Sequence, residues 1–336
     1  MKTRLRSRGA VLVLAVVCAA LAACSKSATS DGQPRPDGGP SSGGQPRLRH
    51  TLTGHTEWIR SLAFSPDSQT LASGATDRKI ILWDVAGGKS TASYDAADTV
   101  AALAYRPDGK VLAAGITGLG SQLELWDLAA GTKTVRDKTK KTGLVESVAY
   151  SPDGKWLACA GQALPIIVRD AADGKVVATL GSSDAYVHGL AFGADSNTLA
   201  AAGQNQLQLW DVKEKKVTAT VPTPVDVISL AFSPDGRTLA GGSNTVLLCD
   251  VASQKVTTLP AEPHIYYGIA FSPDGKTVVS GADNSVVQLW DVASRKSTAT
   301  LKTTALVHPV AISPDGKLLA AGLIDKTIMV WEMPAR

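Results

Sequence analysis

Cysteine is scarce in this chain, with four in 336 residues, at positions 18, 24, 159 and 249. None stands in a Cys-x-x-Cys-His, so nothing supports a covalently held haem. The chain also lacks a phosphate-binding glycine loop and a His-Glu-x-x-His, the local signatures of nucleotide and zinc-hydrolase chemistry. The apolar run from Ala10 to Ala23 covers fourteen residues, too few for a bilayer-spanning helix, which needs about 20. Excess charge is missing as well. The formal net charge of +4 is matched by Lys2, Arg4, Arg6 and Arg8, and the chain beyond residue 23 is neutral. That excludes the basic footprint of a nucleic-acid binder. One local cluster, Arg136, Lys138, Lys140 and Lys141 interrupted by Asp137, reads as a solvated loop.

What the chain does have is repetition. A hydrophobic strand usually ending in Ala-aromatic leads into a Pro-Asp-Gly-type turn, then a small-residue strand, then a strand ending near Trp-Asp. The turn aspartates Asp67, Asp108, Asp153, Asp195, Asp235, Asp274 and Asp315 stand 39 to 45 residues apart. A unit of that length cannot bury its own apolar faces, so stacked neighbours must do it. Turns such as Ser65-Pro66-Asp67-Ser68 and Ser151-Pro152-Asp153-Gly154 suit a type I turn, with proline presetting the second position and serine accepting a local hydrogen bond. Alanine holds one slot in all seven first strands (Ala63, Ala104, Ala149, Ala191, Ala231, Ala270, Ala311), which predicts crowding near a ring axis. Cys159 and Cys249 fall in strands two repeats apart and read as small core residues rather than a disulfide.

The third strands end in Trp83-Asp84, Trp126-Asp127, Trp210-Asp211, Trp290-Asp291 and Trp331-Glu332, with Arg169-Asp170 and Cys249-Asp250 in the other two. Over roughly residues 48–333 this pattern resembles the WD40-repeat family. Blade one matches best, with Gly54-His55, Ser73, Asp77 and Trp83-Asp84. The resemblance implies that His55, Ser73, Asp77 and Trp83 form a hydrogen-bonded structural tetrad. In the remaining blades the tetrad pattern frays, although the period persists. The expected fold is all-β: a seven-bladed β-propeller of four-stranded antiparallel blades, about 28 strands in one domain spanning 48–336. The last repeat stops at Trp331-Glu332 without room for an outer strand, and Leu48–Thr53 can supply it, closing the ring from the N-terminal side.

Ahead of the ring, the basic head and apolar run form an export signal over residues 1–23. It ends in Leu21-Ala22-Ala23-Cys24, which resembles the lipobox of bacterial lipoproteins. The resemblance implies a lipid on the Cys24 thiol and cleavage just before it. Residues 24–47 then hold the anchor cysteine and a tether. Its stretch Ser25–Pro46 contains no large apolar side chain and cannot offset its ordering entropy. These features place the protein in the cell envelope, on the extracytoplasmic side of a plasma membrane or, where there are two membranes, an outer membrane.

Aligning the repeats defines two slots at the start of each first strand. The earlier holds Trp58, Thr99, Leu144, Tyr186, Asp226, Ile265 and Leu306; the later holds Arg60, Ala101, Glu146, His188, Ile228, Tyr267 and His308. The family resemblance puts both on the top face of the ring, where partners bind. Trp58, Arg60, Glu146, Tyr186, His188, Asp226, Tyr267 and His308 are the candidate partner-binding residues, since Trp, Tyr and Arg are enriched in binding hot spots. No cofactor is implied. The reading is a monomeric, non-enzymatic scaffold for a protein or peptide, bound to a membrane through its lipid and not to nucleic acid. An envelope-assembly or transport accessory is the alternative. A metal-dependent hydrolase resembling lactonase propellers is a third, drawing ligands from Glu146, His188, Asp226 and His308.

Overall fold

The structure, a computed structural model, describes residues 44–118, 122–136, 144–182 and 186–334. Cys24, the export signal and the tether up to residue 43 lie outside the described residues, as do Asp137, Lys138, Lys140 and Lys141 of the basic cluster.

Among the described residues, 28 strands form seven four-stranded antiparallel sheets, with no helix. The chain is an all-β, seven-bladed propeller. The innermost strands are Ile59–Phe64, Thr99–Tyr105, Ser147–Tyr150, Gly189–Phe192, Ser229–Phe232, Tyr266–Phe271 and Val307–Ile312. The outermost strand of the last sheet is Arg47–Thr53, paired antiparallel with Thr327–Glu332 from Arg47 opposite Glu332 to Thr53 opposite Thr327. An exposed Arg47–Glu332 ion pair of 3.0 Å ends that ladder. The strand begins one residue ahead of the Leu48 read from the sequence.

Why each blade turns where it does is visible in its side chains. Ser151 Oγ donates to Asp153 Oδ1 at 2.7 Å and accepts from the Trp156 backbone N–H at 2.9 Å. The same pair of bonds recurs at Ser65, Ser233, Ser272 and Ser313. The fourth turn residue sits in the left-handed region, as at Gly154 with φ +72°. Glycine reaches that region without strain. Ser68 and Ser196 occupy it instead in two blades, and each hydroxyl accepts a backbone N–H from a neighbouring blade: Asp315 at 3.1 Å and Asp153 at 3.0 Å.

The core is seven slabs, one between each pair of adjacent blades, including one that joins Leu52, Leu318 and Val330 of the last blade to Ile59, Leu71 and Trp83 of the first. The recurrent alanines correct the crowding expectation. All seven are half-buried rather than enclosed at the axis, and six (all but Ala191) pack sideways on the slab shared with the next blade. Closest approach falls elsewhere. A Cβ on Gly74 would stand 2.4 Å from Val100 Cγ1, and one on Gly322 2.5 Å from Ile59 Cγ2. Those two contacts require glycine where the second strand meets the next blade's innermost strand, while blades three and four accommodate Ala160 and Ala202 in the same slot.

Candidate functional site

The start of each innermost strand faces the ring axis, and there the two slots separate. The later-slot residues Arg60, Ala101, Glu146, His188, Ile228, Tyr267 and His308 all line one axial cavity of about 210 Å³. The earlier-slot residues do not line it. Trp58 and Ile265 are exposed beside its mouth, at 48% and 40%. Tyr186 and Asp226 instead support the cavity wall. The Tyr186 ring lies 4.0 Å from that of His188, centroid to centroid, and its hydroxyl hydrogen-bonds to the Glu146 carboxylate. Asp226 Oδ2 sits 3.3 Å from His188 Nε2.

Two walls of the cavity differ in how far their polar groups are satisfied. On the side of blades three to five, Glu146 and His188 already have Tyr186 and Asp226 as partners. On the side of blades one, six and seven, Arg60 Nε and His308 Nδ1 are buried without a hydrogen-bond partner. His308 stacks on Tyr267 with centroids 5.1 Å apart and planes 12° from parallel. Burial, and then the neighbouring Arg60 charge, push the His308 pKa down to about 3, so its ring is neutral at pH 7. Burial, then the Glu146 hydrogen bond and charge, raise the Tyr186 pKa well above the usual phenol range. The hydroxyl therefore stays protonated and donates.

A larger cavity of about 500 Å³ opens at the far ends of the strands, between the turns holding Pro273, Asp274 and Asp315. Those turn residues repeat in most blades and belong to the scaffold. Among the described residues, no group of three or more His, Cys, Asp and Glu is placed to hold a metal ion. Glu146, His188, Asp226 and His308 thus do not assemble a ligand set; the middle pair bond to each other.

The tetrad of blade one is formed. Asp77 accepts from His55 Nδ1 at 2.9 Å, His55 Nε2 lies 2.7 Å from Ser73 Oγ, and Trp83 Nε1 donates to the same hydroxyl at 2.8 Å. Burial lowers the His55 pKa despite Asp77, leaving a neutral ring that donates through Nδ1 and accepts through Nε2. The Ser73 hydroxyl then points at His55, and the chain of bonds runs one way. Elsewhere it is replaced piecemeal. Blade six keeps only Trp290 Nε1 on Ser280 Oγ at 2.9 Å. In blade four Trp210 Nε1 has no partner.

Blade two holds a network that the residue types did not announce. Glu124 is fully buried and accepts from Gln122 Nε2 at 2.8 Å, Lys133 Nζ at 3.0 Å and Trp126 Nε1 at 3.2 Å. Alternation puts Glu124 on the same buried face of the strand as Gln122 and Trp126, where Ile81 stands in blade one. A buried carboxylate with three side-chain donors and the Ala97 backbone N–H at 3.2 Å substitutes for the tetrad.

Comparison with known proteins agrees with this architecture. The family model described as WD domain, G-beta repeat matches residues 46–84, 133–162, 174–211, 215–250, 253–291 and 298–332. The segment it passes over contains most of blade two. Periodic tryptophan protein 2 of Arabidopsis thaliana is 31% identical over 193 residues, covering 56% of this chain and 21% of that protein. Small ribosomal subunit protein RACK1 of Caenorhabditis elegans is 28% identical over 244 residues, covering 56% of this chain and 74% of that protein. The Glycine max protein of the same name is 36% identical over 125 residues, 33% of this chain and 38% of its own length. The chain thus spans a minor part of several of the curated relatives it matches.

Proposed function

The chain belongs to the WD40-repeat family, and from that premise we propose that it is a non-enzymatic protein-binding scaffold, tethered by a lipid on Cys24 to the extracytoplasmic side of a membrane. The observation that carries the scaffold reading is the convergence of all seven later-slot residues on one axial cavity, beside an exposed Trp58. Exposed tryptophan on a rigid surface is a favourable anchor for a protein partner, because it offers large contact area at little cost in side-chain entropy. The blades hold those residues in place by interlocked slabs, so the face is presented without rearrangement. The small ribosomal subunit protein RACK1 of Caenorhabditis elegans is by name a component of a larger assembly, which supports a protein partner here.

Support for the tether comes from the sequence: Leu21-Ala22-Ala23-Cys24 after a basic, apolar segment, then the polar stretch Ser25–Pro46. As a flexible chain of 22 residues that stretch reaches about 25 Å. The lipid would fix the ring near a surface and let its partner face turn.

Two experiments test the two halves separately. The full chain and a Trp58→Ala/Tyr186→Ala/Tyr267→Ala variant with an unchanged melting temperature are used to capture proteins from envelope extract. A protein held by the wild type and released by the variant is expected; equal capture by both refutes the assignment of this face. Metabolic labelling with a palmitate analogue should mark the wild type and not Cys24→Ala. Label surviving in that variant refutes the anchor.

A further inference from the structure

We propose that the axial cavity receives an acidic side chain of the bound partner, an Asp or Glu whose carboxylate is gripped by Arg60 with His308 beside it. The inference rests on the scaffold reading and specifies what the partner must carry.

Arg60 lines the cavity, and among the described residues no carboxylate forms an ion pair with it. Its Nε is buried and unpaired, as is His308 Nδ1. A buried guanidinium donor left unmatched is costly, so a group that completes it gains the full difference. The guanidinium fork matches a carboxylate in a bidentate way that neither a neutral amide nor a hydroxyl reproduces. A cationic group is disfavoured on this wall by Arg60 itself. On the opposite wall Glu146 and Asp226 are already committed to Tyr186 and His188, so the unspent capacity is all on the Arg60 side.

Size narrows the ligand further. A cavity of about 210 Å³ falls below the roughly 300–1,000 Å³ typical of sites that enclose a drug-sized molecule. It holds a side chain. The body of the partner then has to rest outside, and the exposed apolar residues there, Trp58 of blade one and Ile265 of blade six, belong to the same side of the ring as Arg60, Tyr267 and His308. The acidic residue and an apolar neighbour would engage together, one in the axis and one on the rim.

The test uses the full chain and three small probes: the methylamide of N-acetylglutamate, its glutamine counterpart, and acetate. Binding is followed in every variant by titration calorimetry, and the Nε–H resonance of Arg60 locates the probe in the wild type. The glutamate probe should bind at least about tenfold more tightly than the glutamine probe, as one charge-assisted pair requires. Arg60→Gln should abolish that preference, and Arg60→Lys, which keeps the charge and loses the fork, should retain part of it, with melting temperatures unchanged in both. Equal binding of the two probes, no binding of either, or a preference that persists in Arg60→Gln would overturn the proposal. Acetate binding as tightly as the glutamate probe would also overturn it, since the site would then serve a free anion. A partner captured through Trp58 but indifferent to Arg60→Gln refutes this inference and leaves the scaffold standing. Glutamate-probe binding without any captured partner does the reverse.

Discussion

Removing the Ser73 hydroxyl tests how blade one is held together. The hydroxyl is fully buried, accepts from Trp83 Nε1 and points at His55 Nε2. In Ser73→Ala both of those groups lose their partner inside the core. Each orphaned buried group costs about 1–3 kcal/mol, so the loss is about 2–6 kcal/mol. Ser280→Ala in blade six is the internal control, because Ser280 serves Trp290 alone and orphans one group, for about 1–3 kcal/mol. His55 stays oriented in the variant, since Asp77 also accepts from the Thr56 and Lys79 backbone N–H groups and cannot swing away. Urea unfolding at pH 7 gives both numbers from the shift in midpoint at constant slope. Ser73→Ala should cost about twice as much as Ser280→Ala, and combining it with His55→Phe should cost less than the two single losses added. Equal costs for the two serines, or simple additivity with His55→Phe, would show that His55 and Ser73 are neighbours without being coupled.

Three further outcomes are expected. Ala201→Ser, at the position in blade four that Ser73 holds in blade one, offers the unpartnered Trp210 Nε1 a hydroxyl and should stabilise the fold by about 1 kcal/mol in the same assay. Lys133→Met leaves Glu124 buried without its cation and should destabilise by about 3 kcal/mol; adding Glu124→Gln should recover much of that, and a double variant no better than the single would refute the ion-pair role. The neutral His308, with a native pKa of about 3 against an unfolded value near 6.5, binds fewer protons folded than unfolded between those limits. Its contribution is therefore complete above pH 6.5 and is lost as pH falls toward 3. His308→Gln should reduce that acid loss by about 1 kcal/mol or more in urea midpoints taken from pH 7 to pH 4.

The ring and its blade number were legible because turns leave a local record. Pro-Asp-Gly needs no distant partner to be recognised, and seven copies at one spacing leave few architectures open. Blade one's tetrad was legible through the family resemblance, which implies bonding among a His, a Ser, an Asp and a Trp at the positions of His55, Ser73, Asp77 and Trp83. Blade two was not. Gln122, Glu124 and Lys133 carry no motif of their own, and only the fold brings the lysine over the strand to neutralise the carboxylate. The family model also passes over that blade, yet its sheet is regular, because blade formation depends on the slabs at its two sides more than on its own signature. Repeat alignment found the positions that converge at the axis, since equal register in equal blades puts equal slots at equal radius. It could not tell which of two adjacent slots points inward. That depends on the irregular register at the start of the innermost strands, such as the shift between Ile59 and Ser61, which has no sequence signature of its own. Nor could it show that Arg60 and His308 lack partners, a property of five other blades' side chains rather than of either residue.

The pairing of Arg47–Thr53 with Thr327–Glu332 sets an order of events for a chain made from one end. Of the described strands, the one that emerges first needs, as its neighbour, the one that emerges last. At about 5–20 residues per second the first strand waits roughly 15–60 s before its partner exists. Throughout that interval six blades can stack but the two flanks of the growing stack stay open, each an uncovered apolar sheet face that another chain could cover. Every rung of this ladder joins residues separated by nearly the whole ring, so closure carries the largest loop entropy in the molecule and comes late. A helper that shields open sheet faces would be needed during that wait and dispensable afterwards.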